Sequence, residues 1–335
     1  AYKFVARDFK HGSGEELLSE QGVLSGADIR ELGHALMDKV YRKITGETSV
    51  FKSKIMFVSD RNSVTKKKVR ETIKEIYIMD FDGANKKQLT HHRGIVMSPD
   101  ISPDNTKLVY SLIDGGTGKR KNNNLYIFDM NTKKATMVSS RPGINSGAVF
   151  LPNGTEVILT LSHTGNAELW AMKLGPGELR RITNHFGIDV DPSVSVDANK
   201  ISFLSNRPGK AMIYVADTDG TEKNVKRISF LGKFNATPRF ANDGKEIVFS
   251  SWLDERFDIF RIGADGQNLS RLTKDFGSNE EPIYSNDGNF IAFTHKDLTG
   301  SRRNEQDIFI MDRDGELLGP LTHGYGICSS AKWTH

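Results

Sequence analysis

Cysteine is nearly absent from the chain. Cys328 stands alone among 335 residues, so no disulfide forms within it. Charge of one sign is also lacking: 46 lysines and arginines face 42 aspartates and glutamates, and the small excess is spread along the sequence. A dedicated nucleic-acid binder concentrates its basic residues on one face, so nucleic acid is not an expected partner. The longest basic run, Lys66-Lys67-Lys68 with Arg70, lies between two strand-like segments and reads as a solvated loop. No stretch approaches the ~18 uninterrupted apolar residues of a membrane-spanning helix. The segment from Ala1 to Phe9 is strand-like, without the charged-then-apolar layout of a signal peptide. Either the protein is not exported, or its start is missing from this chain.

Glycine, by contrast, is plentiful at 31 residues, with 37% hydrophobic and 26% charged residues. Apolar segments recur along the whole length, which excludes global disorder and points to a turn-rich β protein.

Three short signals recur in fixed order. The first is a turn followed by an apolar run, as in Lys107-Leu108-Val109-Tyr110 and Glu246-Ile247-Val248-Phe249. The second pairs an aliphatic with an aromatic residue: Ile76-Tyr77, Leu125-Tyr126, Leu169-Trp170, Ile213-Tyr214, Ile259-Phe260 and Ile308-Phe309. The third is an aliphatic–hydroxyl pair: Leu89-Thr90, Ile182-Thr183, Ile228-Ser229, Leu272-Thr273 and Leu321-Thr322, drifted to Met137-Val138 in the second repeat. Anchored on Ile55, Leu108, Val157, Ile201, Ile247 and Ile291, the spacings are 53, 49, 44, 46 and 44. Four short strands and their turns fill such a period, which predicts an all-β six-bladed β-propeller. Asp82-Gly83, Asp219-Gly220, Asp265-Gly266 and Asp314-Gly315 supply tight turns after the second signal; Asn153-Gly154, Asp243-Gly244 and Asp287-Gly288 supply them before the first. The first repeat lacks an inner strand, and residues 327–333 have no repeat after them. That segment is predicted to close the ring as the inner strand of the first blade, leaving no open sheet edge. Residues 51–335 are therefore read as the propeller.

Residues 1–50 do not repeat. Tyr2 to Phe9 alternates as a strand, residues 11–14 form a turn, and Glu16 to Val23 supplies a second strand. Ile29, Leu32, Leu36, Val40 and Ile44 share one helical face, starting at Ser25 or Gly26 and ending at Gly46. A strand pair and one helix bury too little core to stand alone, so this segment reads as the C-terminal part of an α/β domain.

Catalysis is not expected. There is no Gly-x-Ser-x-Gly nucleophile elbow, and no chain remains for the hydrolase domain that propeller-bearing peptidases carry. No cofactor is expected either. The Asp-Gly turns each offer too few converging oxygens for calcium, and they lie in different blades. His91, His92, His185 and His323 all follow the aliphatic–hydroxyl pair; only His91 and His323 lead to neighbouring inner strands, and no metal site is expected. The loops entering the six inner strands form the mouth of the central channel. They carry Arg93, Asn145, Asp189, Asp191, Asn235, Asn279, Glu280, Glu281, His323 and Tyr325. Asp and Asn in such loops also cap turns, but six polar mouths together point to binding.

Several segments are similar to the TolB family of periplasmic propeller proteins. Tyr41-Arg42-Lys43-Ile44-Thr45-Gly46, followed by Val50 to Ile55, resembles that family's junction between a helix and the first blade. Ser102-Pro103-Asp104-Asn105-Thr106-Lys107-Leu108 resembles its blade signature, as does Asp80-Phe81-Asp82-Gly83 with Gln88-Leu89-Thr90. Asp191-Pro192 and Glu281-Pro282 resemble its Glu-Pro step in an inner strand, and Asn145 falls where the family often has Asn. The resemblance implies a monomeric, non-enzymatic periplasmic adaptor of the Tol–Pal envelope system, which supports outer-membrane integrity and cell division. It implies that the channel mouth binds the peptidoglycan-associated lipoprotein. It also implies that TolA is engaged by an N-terminal segment that nothing in this chain matches, and that the membrane is reached only through partners. The alternative is a small-ligand or glycan-binding propeller, or the non-catalytic propeller of a peptidase-like protein. Near the mouth, aromatic platforms come only from Phe186, Phe234, Phe276 and Tyr325.

Overall fold

The computed structural model describes residues 1–9, 14–23, 29–66, 69–113, 122–299 and 305–334. The chain divides into two compact units, Ala1–Lys54 and Ile55–His335.

In the first unit, Tyr2–Asp8 pairs antiparallel with Glu15–Gly22, and a helix spans Ile29–Thr45. The expected turn at residues 11–13 and helix start at Ser25 or Gly26 lie outside the described residues. The helix ends as its sequence predicts. Gly46 adopts φ +76°, and its N–H donates to the Arg42 carbonyl at 2.9 Å, a left-handed cap that glycine accepts without steric cost. Asp38 is buried, yet Ser49 Oγ (2.8 Å), Lys52 Nζ (3.2 Å) and Arg42 Nε (3.3 Å) surround it. Burial pushes its carboxyl up, but these partners outweigh burial and hold it below the usual carboxylate range.

The second unit is a six-bladed propeller of four-stranded antiparallel sheets. The inner strands of blades 2 to 6 are Ile95–Ile101, Asn145–Phe150, Asp189–Val194, Asn235–Phe240 and Ser278–Tyr284. Blade 1 takes its inner strand from the C-terminal end: Cys328–Trp333 pairs with Lys54–Ser59, Cys328 opposite Ser59 and Trp333 opposite Ile55. The ring is thereby closed in one sheet by strands from opposite ends of the propeller. One segment differs from the sequence reading. The stretch read as a basic loop carries a short hairpin, Val64–Lys66 against Val69–Glu71, with Lys67 and Lys68 outside the described residues.

Each recurring signal has a structural cause. The aromatic of the second signal lies opposite the last apolar residue of the first. Phe203 faces Tyr214, Phe249 faces Phe260 and Phe293 faces Phe309 across adjacent strands. The rings of the first two pairs stack at 5.9 and 5.8 Å, the cross-strand contact that pins register. Residues alternating with these pack between blades: Val109 and Leu125 of blade 2 meet Val157 and Leu159 of blade 3 in one apolar cluster. The hydroxyl of the third signal caps the third strand. Thr90, Thr183, Ser229, Thr273 and Thr322 accept the backbone N–H of Ile76, Leu169, Ile213, Ile259 and Ile308 at 2.8–3.0 Å. In four blades the same hydroxyl donates to a buried carboxylate: Glu75, Glu168, Asp258 or Asp307.

Candidate functional site at the channel mouth

Every inner strand slips register once against its neighbour, leaving one residue in the left-handed region. These are Ser98, Gly147, Asp191, Thr237, Glu281 and Ser330, with φ between 48° and 61°. Five are not glycine, a conformation that costs an L-residue about 1–2 kcal/mol. The next residue is Pro99, Ala148, Pro192, Pro238, Pro282 or Ala331. Proline has no N–H to lose, so it fits a position that has left the ladder.

Side chains from the preceding blade take up amides around the bulges. Glu281 of blade 6 accepts the Ser330 N–H of blade 1 at 2.6 Å. Asp100 accepts the Phe150 N–H at 2.8 Å, Ser193 that of Phe240 at 3.1 Å, and Ser250 that of Glu281 at 3.1 Å. The six bulges line a central cavity of about 380 Å³. Two ion pairs join adjacent blades here: Asp191 with Arg239 (2.8 Å) and Asp100 with Lys332 (3.2 Å). Burial pushes the Lys332 ammonium below its ordinary pKa, opposed chiefly by Asp100.

Four of the ten expected contact residues lie in the interior of the propeller. Asn145, Asp189, Asn235 and Asn279 are fully buried. Asn145 accepts Ser139 Oγ (2.6 Å) and donates to the carbonyls of Arg141 (2.7 Å) and Asn123 (2.9 Å). Asp189 is locked to Arg207 at 2.7 Å. Asn235 donates to the Ser229 hydroxyl (2.9 Å), and Asn279 donates to the Phe276 carbonyl (2.7 Å) and meets His295 Nδ1 (2.9 Å). They hold the loops from within.

The other six divide by place. Asp191 and Glu281 belong to the cavity wall. Glu281 is committed on both oxygens, to the Ser330 N–H and hydroxyl and to the Thr294 hydroxyl. Glu280 is half-buried, and burial, reinforced by Glu281 and opposed by Lys296, pushes its carboxyl up to about 7. Arg93 is exposed, with its backbone N–H held by Glu75 Oε1 at 2.7 Å. His323 is exposed. Tyr325 packs against Phe57 and Tyr77, and the Arg61 guanidinium lies 3.8 Å above its ring centre, a cation–π contact.

Apolar residues outside that set are also exposed in the loops of the mouth. Phe186 is 87% exposed and Phe230 is 67% exposed, and Ile144, Ile188 and Phe234 are exposed as well. All five sit in the three consecutive loops that enter blades 3, 4 and 5. Exposed apolar side chains on adjacent loops are the kind of feature an interaction surface uses. Phe230 had no signal of its own, since an aromatic after Ile228-Ser229 reads equally well as core. The bulge ring had one: an X-Pro step recurs in four inner strands, at Pro99, Pro192, Pro238 and Pro282.

Fold and channel define a closed six-bladed β-propeller with a polar, internally paired channel and an apolar crescent on its mouth. The family described as the TolB beta propeller domain matches residues 41–259. The chain belongs to that family. It is 33% identical over 199 residues to a protein TolB homolog of Chlorobium chlorochromatii, covering 59% of this chain and 42% of the relative. A protein TolB homolog of Chlorobium luteolum is also 33% identical, over 190 residues, covering 57% of this chain and 40% of the relative. The aligned region thus spans about two fifths of these curated relatives. Among solved structures, TolB from Acinetobacter baumannii superposes with a TM-score of 0.81 at 27% identity, over 96% of this chain and 76% of that one. No helix among the described residues is long and apolar enough to cross a membrane.

Proposed function

We propose that this propeller is the recognition domain of a non-enzymatic periplasmic adaptor in the Tol–Pal system. In this reading it binds the peptidoglycan-associated lipoprotein with its channel mouth and so supports outer-membrane integrity and division. The observation that carries the proposal is the apolar crescent of Ile144, Phe186, Ile188, Phe230 and Phe234 on one side of the mouth. Buried aromatic anchors dominate protein–protein affinity, and these rings stand exposed on loops held by the buried Asn145, Asp189 and Asn235. Family membership supports the choice of partner. The polar groups of the channel are largely paired with one another, which suits a rigid scaffold better than a reactive centre.

Amide hydrogen exchange of this chain mixed with the soluble domain of the lipoprotein tests the proposal. Protection should appear in residues 142–145, 184–188 and 230–234. Protection confined to other faces, or none at saturating partner, would count against it. Slowed exchange on adding peptidoglycan fragments alone would favour a glycan-binding propeller.

A further inference from the structure

The buried carboxylates that receive the Thr hydroxyls are neutralised differently from blade to blade. Glu168 in blade 3 meets Arg181 at 3.1 Å, and Asp258 in blade 5 meets Arg271 at 2.5 Å. Both arginines stand two residues before the hydroxyl. In the other two blades of this kind the position holds Gln88 (blade 1) or Pro320 (blade 6), and Asp307 accepts the Thr322 hydroxyl at 2.8 Å. Close to Asp307 stand Glu305, at the entry to the same strand, and His323, just past Thr322. A carboxylate oxygen from each acid and a ring nitrogen of His323 all lie within 4.8 Å of one another. Asp307 is buried, while Glu305 and His323 are exposed. An adjoining cavity of about 270 Å³ is lined by Asp60, Arg70, Glu305, Asp307, Gly324 and Gly326, among others.

We propose that Glu305, Asp307 and His323 form a divalent-cation site that takes Zn²⁺. An imidazole beside two carboxylates is a donor set for a borderline first-row ion rather than for calcium, which prefers six or more oxygens. Three protein ligands leave a fourth position, which water fills from the adjoining cavity. The ion joins two segments of the chain. Glu305 and Asp307 belong to blade 6, while His323 begins the loop that leads into the ring-closing strand Cys328–Trp333. The site is therefore a staple on the closure and is independent of the apolar crescent.

The test is calorimetric titration of ZnCl₂ into the full chain after chelator treatment, with CaCl₂ in parallel, and thermal unfolding with and without Zn²⁺. One Zn²⁺ should bind per chain and raise the melting temperature, because a ligand held only by the folded state stabilises it. His323→Ala and Glu305→Gln, both at exposed positions, should each weaken binding about tenfold or more and abolish the thermal shift without changing the circular dichroism spectrum. No Zn²⁺ binding, unchanged binding in both variants, or equal preference for Ca²⁺ would overturn the proposal.

Discussion

Glu281 of blade 6 holds Ser330 of the ring-closing strand on two atoms, its backbone N–H at 2.6 Å and its hydroxyl at 3.1 Å. Both residues are left-handed bulges, so the acid stabilises a strained position in the strand that completes the ring. Glu281→Gln should lower unfolding free energy by about 1–3 kcal/mol, because an amide cannot replace a carboxylate that accepts three hydrogen bonds. Urea denaturation checks this. A change below a few tenths of a kcal/mol would assign ring closure to the strand pairing alone.

Removing the closing strand altogether should do far more. Deletion of residues 326–335 leaves the Lys54–Ser59 strand without its partner and exposes sheet edges, which invites intermolecular pairing. The shortened chain is expected to melt lower and to aggregate, read by light scattering during a thermal ramp. An unchanged melting temperature without aggregation would contradict the closure.

Glu280 gives the propeller a pH dependence of definite sign. Its folded pKa is raised to about 7 by burial first and Glu281 second, above the value in an unfolded chain. Below about pH 4.5 both states are protonated and this group costs nothing. As pH rises from there to about 7, the unfolded state releases its proton first, and stability is lost through that window. Glu280→Gln should remove that slope and stabilise the fold above pH 7 by about 1–3 kcal/mol. Equal pH profiles for the two proteins would show that Glu280 is charged in the fold.

The blade order was legible because its signals are local. Asp-Gly and Asn-Gly turns, the aliphatic–aromatic pair and the aliphatic–hydroxyl pair each fix one element of a blade. The hydroxyl pair drifts in blade 2, yet its outer strand, Ala135–Ser139, still forms, since neighbouring strands supply the ladder. The hairpin at Val64–Glu71 was hidden because a lysine run carries a loop composition whatever its pairing. The channel bulges were hidden for a different reason: nothing in the residue types Asp191, Thr237 or Glu281 announces a left-handed backbone, and only the proline that follows hints at it. Asn145, Asp189, Asn235 and Asn279 show the limit most plainly. An Asn or Asp opening an inner strand looks the same whether it faces solvent or the protein interior, and packing between adjacent blades decides which.

Those buried residues also separate stability from binding. Asp189→Ala leaves the Arg207 guanidinium, itself mostly buried, without its closest partner, and breaking a buried pair costs about 3–5 kcal/mol. The variant should be strongly destabilised in chemical denaturation. A stability within about 1 kcal/mol of the parent protein would show that Glu222, also 2.9 Å from Arg207, suffices alone.

The most direct test of the mouth as the binding face is calorimetric titration of the soluble peptidoglycan-associated lipoprotein into this chain and into its Phe186→Ala/Phe230→Ala double variant. Both rings are largely exposed, so the variant should keep the melting temperature of the parent. The parent should give a saturable one-to-one isotherm, and the variant an affinity at least tenfold weaker, about 1.4 kcal/mol or more. Absence of binding by the parent chain, or equal affinity in the two proteins, would contradict the account.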